Sequence, residues 1–514
     1  MFNLFQCRNL LLLITMGFWL NLLLLTVEAQ LSARILEYYL DSVSGRDIYP
    51  GTQSFPMRTL AAVFQFAHGD ASTDLIIHLV PRDTPYTLSD TNITSKDFAS
   101  MKFHTLEQST PSAPDTAVVL VNGNSKLSVP SILFERVIIG NDNQTTNSLI
   151  AIQGSNLTFS QSTILLTSPR VKPDPASYFG LFAIVQSVVI IRDTTINFTS
   201  VTKIMQILYS NVKFLNVSMN ANLTVQLAYI PIYIEQSNLT VETMAFRGFY
   251  KPCPVLTGPA AETWDATVIQ MEKGTMTMKN VLFMPGEGPS MRLFLGTNTP
   301  SSVQNFTVMG TKIGNSILDF RMVANNSGRV DISGFYLRDN WLFLSNVTGS
   351  YPSGLISLEG SLDQLEPFVF SIDDIVIQNN TQMESSFPQV NIPVIYTFGN
   401  RKHSLSITNV VMLNNSLKHS FVTLASGLEQ VRLENVTIKD STCFAPLFLI
   451  QPLRANILEL VNLNINGSSF YNTSLIELTG EYLEEGTDAN DSDVMENLRL
   501  VRCERVRGFA NEIR

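Results

Sequence analysis

The chain repeats itself near its C-terminus. Segments beginning at Val394, Phe421, Phe448 and Leu475 start 27 residues apart, and the first three each read as a short strand, a polar turn, a second alternating strand and another polar turn. Their apolar residues recur at period two and never at the 3.6-residue period of a helix. The same unit returns upstream with insertions, as "LISLEG" with "FSIDDIVIQNN", "TVIQMEKGTMTMKNVLFM", "IMQILYSNVKFLNVSMN" and "SLIAIQGSNLTFSQSTILL". One such unit cannot bury its own inner face, because ordering it costs on the order of 1.5 kcal/mol per residue. Stacking supplies the missing contacts. Parallel rungs at roughly 4.8 Å pair each backbone amide with the rung above or below, and roughly a dozen of them make a rod about 60 Å long. The repeat therefore predicts an all-β, single-stranded parallel β-helix.

The stacking also assigns an ambiguous residue. Asn435 stands in the sequon N-V-T, which reads as a sugar acceptor, yet it lies between Leu433 and Ile438 in an apolar strand. In the repeat it aligns with Asn409, Asn462 and Asn280 and with Asp374, and neither Asn409 nor Asn462 is in a sequon. A column of amides on successive rungs is what an internal asparagine ladder requires, each donating to one neighbour and accepting from the other. Asn280, Asp374, Asn409, Asn435 and Asn462 are thus expected to form a structural ladder, with no glycan on Asn435 and a loss of stability on Asn435→Ala. Among the sixteen sequons of the chain, Asn92, Asn143, Asn325, Asn379, Asn414 and Asn490 lie in turns or polar segments and are the glycosylation candidates.

Composition narrows the partners. Only 15% of residues are charged and the net charge is −10, so nothing draws the chain to nucleic acid. Arg8 precedes an apolar run from Leu10 to Val27 that Ala29 closes, which reads as a secretory signal over residues 1–29. The run is also near the roughly 20 residues that span a bilayer, so contact with a membrane follows only if it stays uncleaved. Cys253, Cys443 and Cys503 remain after the signal, too few and too widely spaced for a disulfide framework or a zinc site, and their pairing stays open.

The stretch after the signal, "YYLDSVSGRDIYPGTQSFPMRTLAAVFQFAHGDASTDLIIHL", is the most specific in the chain. Through Asp41, Gly45, Asp47, Gly51, Thr52, Pro56, Thr59, Gly69, Asp70 and Ile76 it resembles the opening of right-handed parallel β-helix proteins of the pectate-lyase-like superfamily. The resemblance implies a right-handed coil whose bottom is plugged by a short helix. Thr59 would cap that helix, Leu60, Val63, Phe64 and Ala67 would share its buried face, and Gly69 would end it. Residues 30–80 then form the cap and first rung, and 81–514 the coil. At the far end Arg499, Arg502, Arg505 and Arg507 suit a solvated strand edge. An open last rung, continuation in a partner and a truncated end all remain open there.

Many members of that superfamily cut acidic polysaccharides on the outside of the coil. Of the glycosidase motifs only an Asp-Asp pair is present, at Asp373 and Asp374, with Asp374 in the ladder column and Asp373 beside Thr408 and Glu434 on the solvent side. "DANDSD" at 488–493 lacks the glycine and distal glutamate of a calcium loop, and the five histidines fall in no nucleophile pattern. The expectation is a secreted or cell-surface scaffold that binds extracellular polysaccharide or a surface glycoprotein. No catalytic residue, metal or cofactor is expected in it. The alternative is a polysaccharide lyase or glycoside hydrolase with atypical motifs.

Overall fold

The computed structural model describes residues 34–107, 115–141, 148–166, 180–199, 204–222, 231–247, 267–284, 292–310, 312–313, 316–322, 328–342, 354–360, 367–382, 393–398, 402–424, 428–450, 457–471, 473 and 475–478. They form a parallel β-helix. In the first sheet Arg34–Leu40 pairs with Thr73–Leu79, which pairs with Ser100–Thr105, and fourteen such parallel steps lead to Ile457–Asn466. At about 4.8 Å per step that column is about 67 Å long. Strands that pair in parallel through crossovers wind right-handedly. A second sheet runs beside the first, from Asn92–Thr94 and the second half of Ala117–Ser128 through Ser148–Gln153, Ile232–Glu235 and Thr267–Glu272 to Ile476–Leu478. A third, of six two-residue strands from Lys312–Ile313 to Ser469–Phe470, has no counterpart in the two-strand unit of the repeat.

Inside the coil, like stacks on like. Phe103, Phe134 and Phe159 are fully buried with ring centroids 4.8 and 5.2 Å apart, so each rung places its ring on the one below.

The long strands of the first sheet bend where one residue takes the left-handed conformation. Asn280, Asp374, Asn409, Asn435 and Asn462 have φ between 54° and 56°, a region that asparagine and aspartate enter more readily than other residues with a Cβ. They occupy one column, and Asn435 Nδ2 donates to Asn409 Oδ1 at 2.9 Å while Asn462 Nδ2 donates to Asn435 Oδ1 at 2.8 Å. The ladder is external, however. All five side chains are exposed, because a left-handed residue turns the strand and shifts the inward face by one position, so Leu433 and Val436 point inward and Asn435 between them does not. Asn409 Nδ2 donates to Asp373 Oδ1 at 2.8 Å rather than to Asp374, whose Oδ2 accepts the Tyr336 hydroxyl at 2.6 Å.

The buried ladder is one turn further on. A second left-handed column holds Asn379, Asn414, Asp440 and Gly467, and the residue after each faces inward. Asn340 Nδ2 donates to Asn380 Oδ1 at 3.0 Å and Asn380 Nδ2 to Asn415 Oδ1 at 3.1 Å, and the backbone amide of Asn415 donates to Ser441 Oγ at 3.2 Å. A parallel column of serines follows the left-handed residues Gly154, Gln186, Tyr209 and Gln236. The backbone amides of Ser155, Ser187 and Ser210 donate to the hydroxyls of Ser187, Ser210 and Ser237 at 3.2, 3.0 and 2.9 Å. These polar columns satisfy groups that would each cost about 1–3 kcal/mol if buried alone.

At the N-terminal end the helix Leu60–Phe66 buries Leu60, Ala62 and Val63, and Thr59 Oγ1 accepts the Ala62 amide at 3.2 Å. Asp47 holds Thr59 in turn, accepting its amide at 2.9 Å and its hydroxyl at 3.0 Å. The helix stops at Ala67, not Gly69. Gly69 is small for another reason: a Cβ there would meet the Asp97 carbonyl oxygen at 2.5 Å.

Candidate binding face

The second sheet carries a compact group of polar side chains on the outside of the coil. Its strand Ile232–Glu235 alternates Ile232 and Ile234 into the core with Tyr233 and Glu235 away from it. The next rung, Thr267–Glu272, does the same with Gln270 and Glu272 outward. Register sets Tyr233 beside Gln270 and Glu235 beside Glu272. The Tyr233 hydroxyl donates to Glu235 Oε2 at 3.1 Å and lies within hydrogen-bond reach of Glu272, whose Oε1 accepts the Gln270 amide at 2.8 Å. Burial and then the two neighbouring carboxylates raise the Tyr233 pKa, so the phenol stays a proton donor through the physiological range. All four side chains are half-buried, and two carboxylates one rung apart share a tyrosine and an amide.

The same outward row continues through Thr297 and Arg321 to Glu359. Arg321 grips the fully buried Asp319 through Nε at 3.3 Å and Nη2 at 3.0 Å, and its Nε lies 3.7 Å from Glu359 Oε2. Asp319, Ser357 and Tyr396 belong to an outward row yet are buried, and burial followed by the charge of Glu359 raises the Tyr396 pKa. Glycoside hydrolysis uses two carboxyl groups on one face, and here Glu235 and Glu272 adjoin while Arg321 stands two rungs beyond Glu272 in the same row. The chain alignment missed it because Glu235 and Glu272 are 37 residues apart, not 27, across an insertion that breaks the period. The readable signal was the strand-ending glutamate shared by "IYIE" and "VIQME".

Charged groups on the first sheet are more fully matched. Arg432 bonds Glu434 at 2.8 Å and Glu459 at 3.1 Å, Lys102 bonds Glu135 at 2.6 Å, and Asp373 accepts the Thr408 hydroxyl at 2.6 Å. Two histidines that look scattered in the sequence stand in register: His78 is stacked on Tyr39 at 4.4 Å and has its ring centroid 6.1 Å from that of His104. Burial lowers the pKa of both, opposed in His78 by Glu37. His403 is fully buried and His68 exposed. Among the described residues no three His, Cys, Asp or Glu side chains are placed to hold a metal ion.

Of the glycosylation candidates, Asn92, Asn379 and Asn414 are exposed, and Asn143, Asn325 and Asn490 lie outside the described residues, as do residues 1–33, the segment 488–493 and the C-terminal arginines. Cys443 is buried as a free thiol, which burial pushes up to about 12, while Cys253 and Cys503 are outside the described residues. No described helix is long and apolar enough to cross a membrane.

No protein-family model matches the chain, and no curated protein matches it. Among solved structures it is similar to the catalytic domain of a family 87 α-1,3-glucanase in complex with nigerose, at 11% identity over 87% of this chain and 68% of that one with a TM-score of 0.40. It is also similar to the Streptococcus pneumoniae surface protein and adhesin PfbA, at 12% identity over 74% and 92% of the two chains with a TM-score of 0.28. A third is the A-module of the Azotobacter vinelandii mannuronan C-5 epimerase AlgE6, at 11% identity over 74% and 91% with a TM-score of 0.22. The fold rests on the strand register of this chain, and these likenesses add no function to it.

Proposed function

We propose that the protein is a non-catalytic β-helix rod, exported or displayed at the cell surface, that binds a polysaccharide or surface glycoprotein along the outer face of its second sheet. The observation behind this is the set Tyr233, Glu235, Gln270 and Glu272 on two adjoining rungs. It offers an aromatic ring, a phenol, an amide and two carboxylates along the rod axis. Hydroxyl-rich ligands are recognised by such planar amides and carboxylates, with the ring supplying contact area. Two carboxylates one rung apart repel a uronate polymer, so a neutral glycan fits this face better than an acidic one. Glycan-array binding of the exported protein, repeated with Tyr233→Ala and Gln270→Ala, tests the reading; binding that neither substitution reduces would place the ligand elsewhere.

One observation favours the enzyme alternative. Strands in register lie about 4.8 Å apart, and retaining glycosidases hold their two carboxyl groups about 5–5.5 Å apart. Glu235 and Glu272 are in register, with the Tyr233 hydroxyl in reach of both. Incubation with a panel of polysaccharides decides between the readings. New reducing or unsaturated ends that disappear in Glu272→Gln would end the non-catalytic one.

A further inference from the structure

The sequons separate by what their amide nitrogens do in the fold. Ten of the sixteen have described side chains. In five of them Nδ2 already donates to the preceding rung: Asn216 to Asp193 at 2.8 Å, Asn238 to Asn211 at 3.0 Å, Asn305 to Asn280 at 3.1 Å, Asn379 to Asp339 at 2.9 Å and Asn435 to Asn409 at 2.9 Å. In the other five, Asn92, Asn156, Asn197, Asn414 and Asn466, Nδ2 donates to no described residue, although Asn197 Oδ1 accepts Asn220 Nδ2 at 2.9 Å from the next rung. Asn379 and Asn414 make the comparison cleanest. They stand in one left-handed column with φ of 54° and 52°, both are exposed, and only Asn379 is tied to its neighbour.

We propose that Asn92, Asn156, Asn197, Asn414 and Asn466 carry N-linked glycans and that the five asparagines whose Nδ2 donates to the preceding rung stay bare. The inference rests on export of the chain, as in the proposed function. The sugar would come from a lipid-diphosphate-linked oligosaccharide. The bond from Nδ2 to the sugar's C1 forms, the C1–O bond to the diphosphate breaks, the amide loses one proton and the diphosphate leaves as the anion. A glycan on a laddered amide takes one of its two N–H groups and sets a pyranose where the bonded neighbour already lies, 2.8–3.1 Å from Nδ2 in all five. A chain modified there docks its sugar against the preceding rung, so modified chains fold less readily and the folded protein is bare at these positions. At Asn414 nothing has to be displaced.

The second sheet follows the same division. From Ser148–Gln153 onward none of its described strands contains an asparagine, so the face that holds Tyr233, Glu235, Gln270 and Glu272 has no acceptor on it. Sugars would sheathe the first sheet, the turns and the second sheet's first strand, Asn92–Thr94, which lies five rungs from Ile232–Glu235, and leave the binding face clear.

The test is glycopeptide mapping of the full chain made in a eukaryotic secretory host, together with four substitutions at the hydroxyl position of a sequon. Ser416→Ala and Thr158→Val each remove a sequon without touching its asparagine and should each speed the gel mobility by one glycan. Thr381→Val and Thr437→Val should leave mobility unchanged, since Asn379 and Asn435 carry nothing to lose. Sugar on Asn379 or Asn435, or none on Asn414 in a protein glycosylated elsewhere, overturns the inference and leaves export standing. A secreted protein bare at every sequon also overturns the inference alone, whereas a chain that stays inside the cell without sugar sinks export with it.

Discussion

Asn380→Ala should unfold the coil far more readily than Asn435→Ala, although both remove an asparagine from a ladder. Asn380 is fully buried. Its Nδ2 donates to the carbonyls of Leu337 at 2.8 Å and Gln378 at 2.9 Å and to Asn415 Oδ1 at 3.1 Å, and its Oδ1 accepts both the backbone amide and Nδ2 of Asn340 at 3.0 Å. Alanine takes that acceptor from the buried Asn340 backbone amide and the donor from the buried Leu337 carbonyl. Two such losses at about 1–3 kcal/mol each, with a small cavity, give a cost of about 3–5 kcal/mol. Asn435 is exposed, so water replaces its lost bonds, and the main penalty is the left-handed backbone, about 1–2 kcal/mol for alanine. Glycine escapes that strain, so Asn435→Gly should cost less than Asn435→Ala. The measurement is thermal and denaturant unfolding followed by far-ultraviolet circular dichroism, with hydrogen exchange across residues 377–382 to catch local opening that a stacked fold permits. Equal losses for Asn380→Ala and Asn435→Ala would refute the assignment of the two columns to inside and outside.

Other expectations follow from buried groups. His403 is buried with its ring edge-on to Phe368 and Phe370, and burial lowers its pKa to about 4. The unfolded chain therefore binds the proton first, and stability that is complete above about pH 6.5 should fall by about 3 kcal/mol as pH drops to 4, a slope that His403→Gln should flatten. A Cβ on Gly360 would collide with that imidazole, so Gly360→Ala should cost about 1–3 kcal/mol alone and much less in combination with His403→Ala. Burial alone would raise the Asp41 pKa, but its bonds to Arg82 at 2.6 and 3.1 Å and to Ser44 and Val43 together hold it well below the usual carboxylate range. Arg82→Met should therefore lower hydrogen-exchange protection of the cap by about 2–4 kcal/mol at neutral pH, an effect that fades as acid protonates Asp41.

How much of this was legible in the sequence depends on which residues kept the period. The coil itself was, because a 27-residue step with alternating strands and no helical stripe admits few other folds; the alignment of Asn409, Asn435 and Asn462 followed from that step, and Asn280 and Asp374 joined it by matching strand patterns across insertions. What alternation cannot show is a left-handed residue, which resets it. Counting by twos from Val431 through Leu433 puts Asn435 inside, but the chain counts by three at that point. Leu433 and Val436, Ile407 and Val410, Ile372 and Ile375, Val303 and Phe306, and Phe214 and Val217 are all buried pairs three apart, each astride a left-handed asparagine or aspartate. That gap of three is the sequence mark of the bend. It recurs after the next apolar position, from Ile377 to Asn380 and from Met412 to Asn415, where the residue turned inward is polar. Two consecutive asparagines at such a turn therefore have opposite fates: the first stands in solvent in the left-handed conformation, and the second is enclosed and must be bonded on every side. A reading that counts both as turn residues loses the buried ladder, and one that counts neither misses the bend. The same reset explains why a sequon can sit in an apolar strand without burying its asparagine, since the bend that exposes Asn435 also sets its amide one rung above the carbonyl oxygen of Asn409.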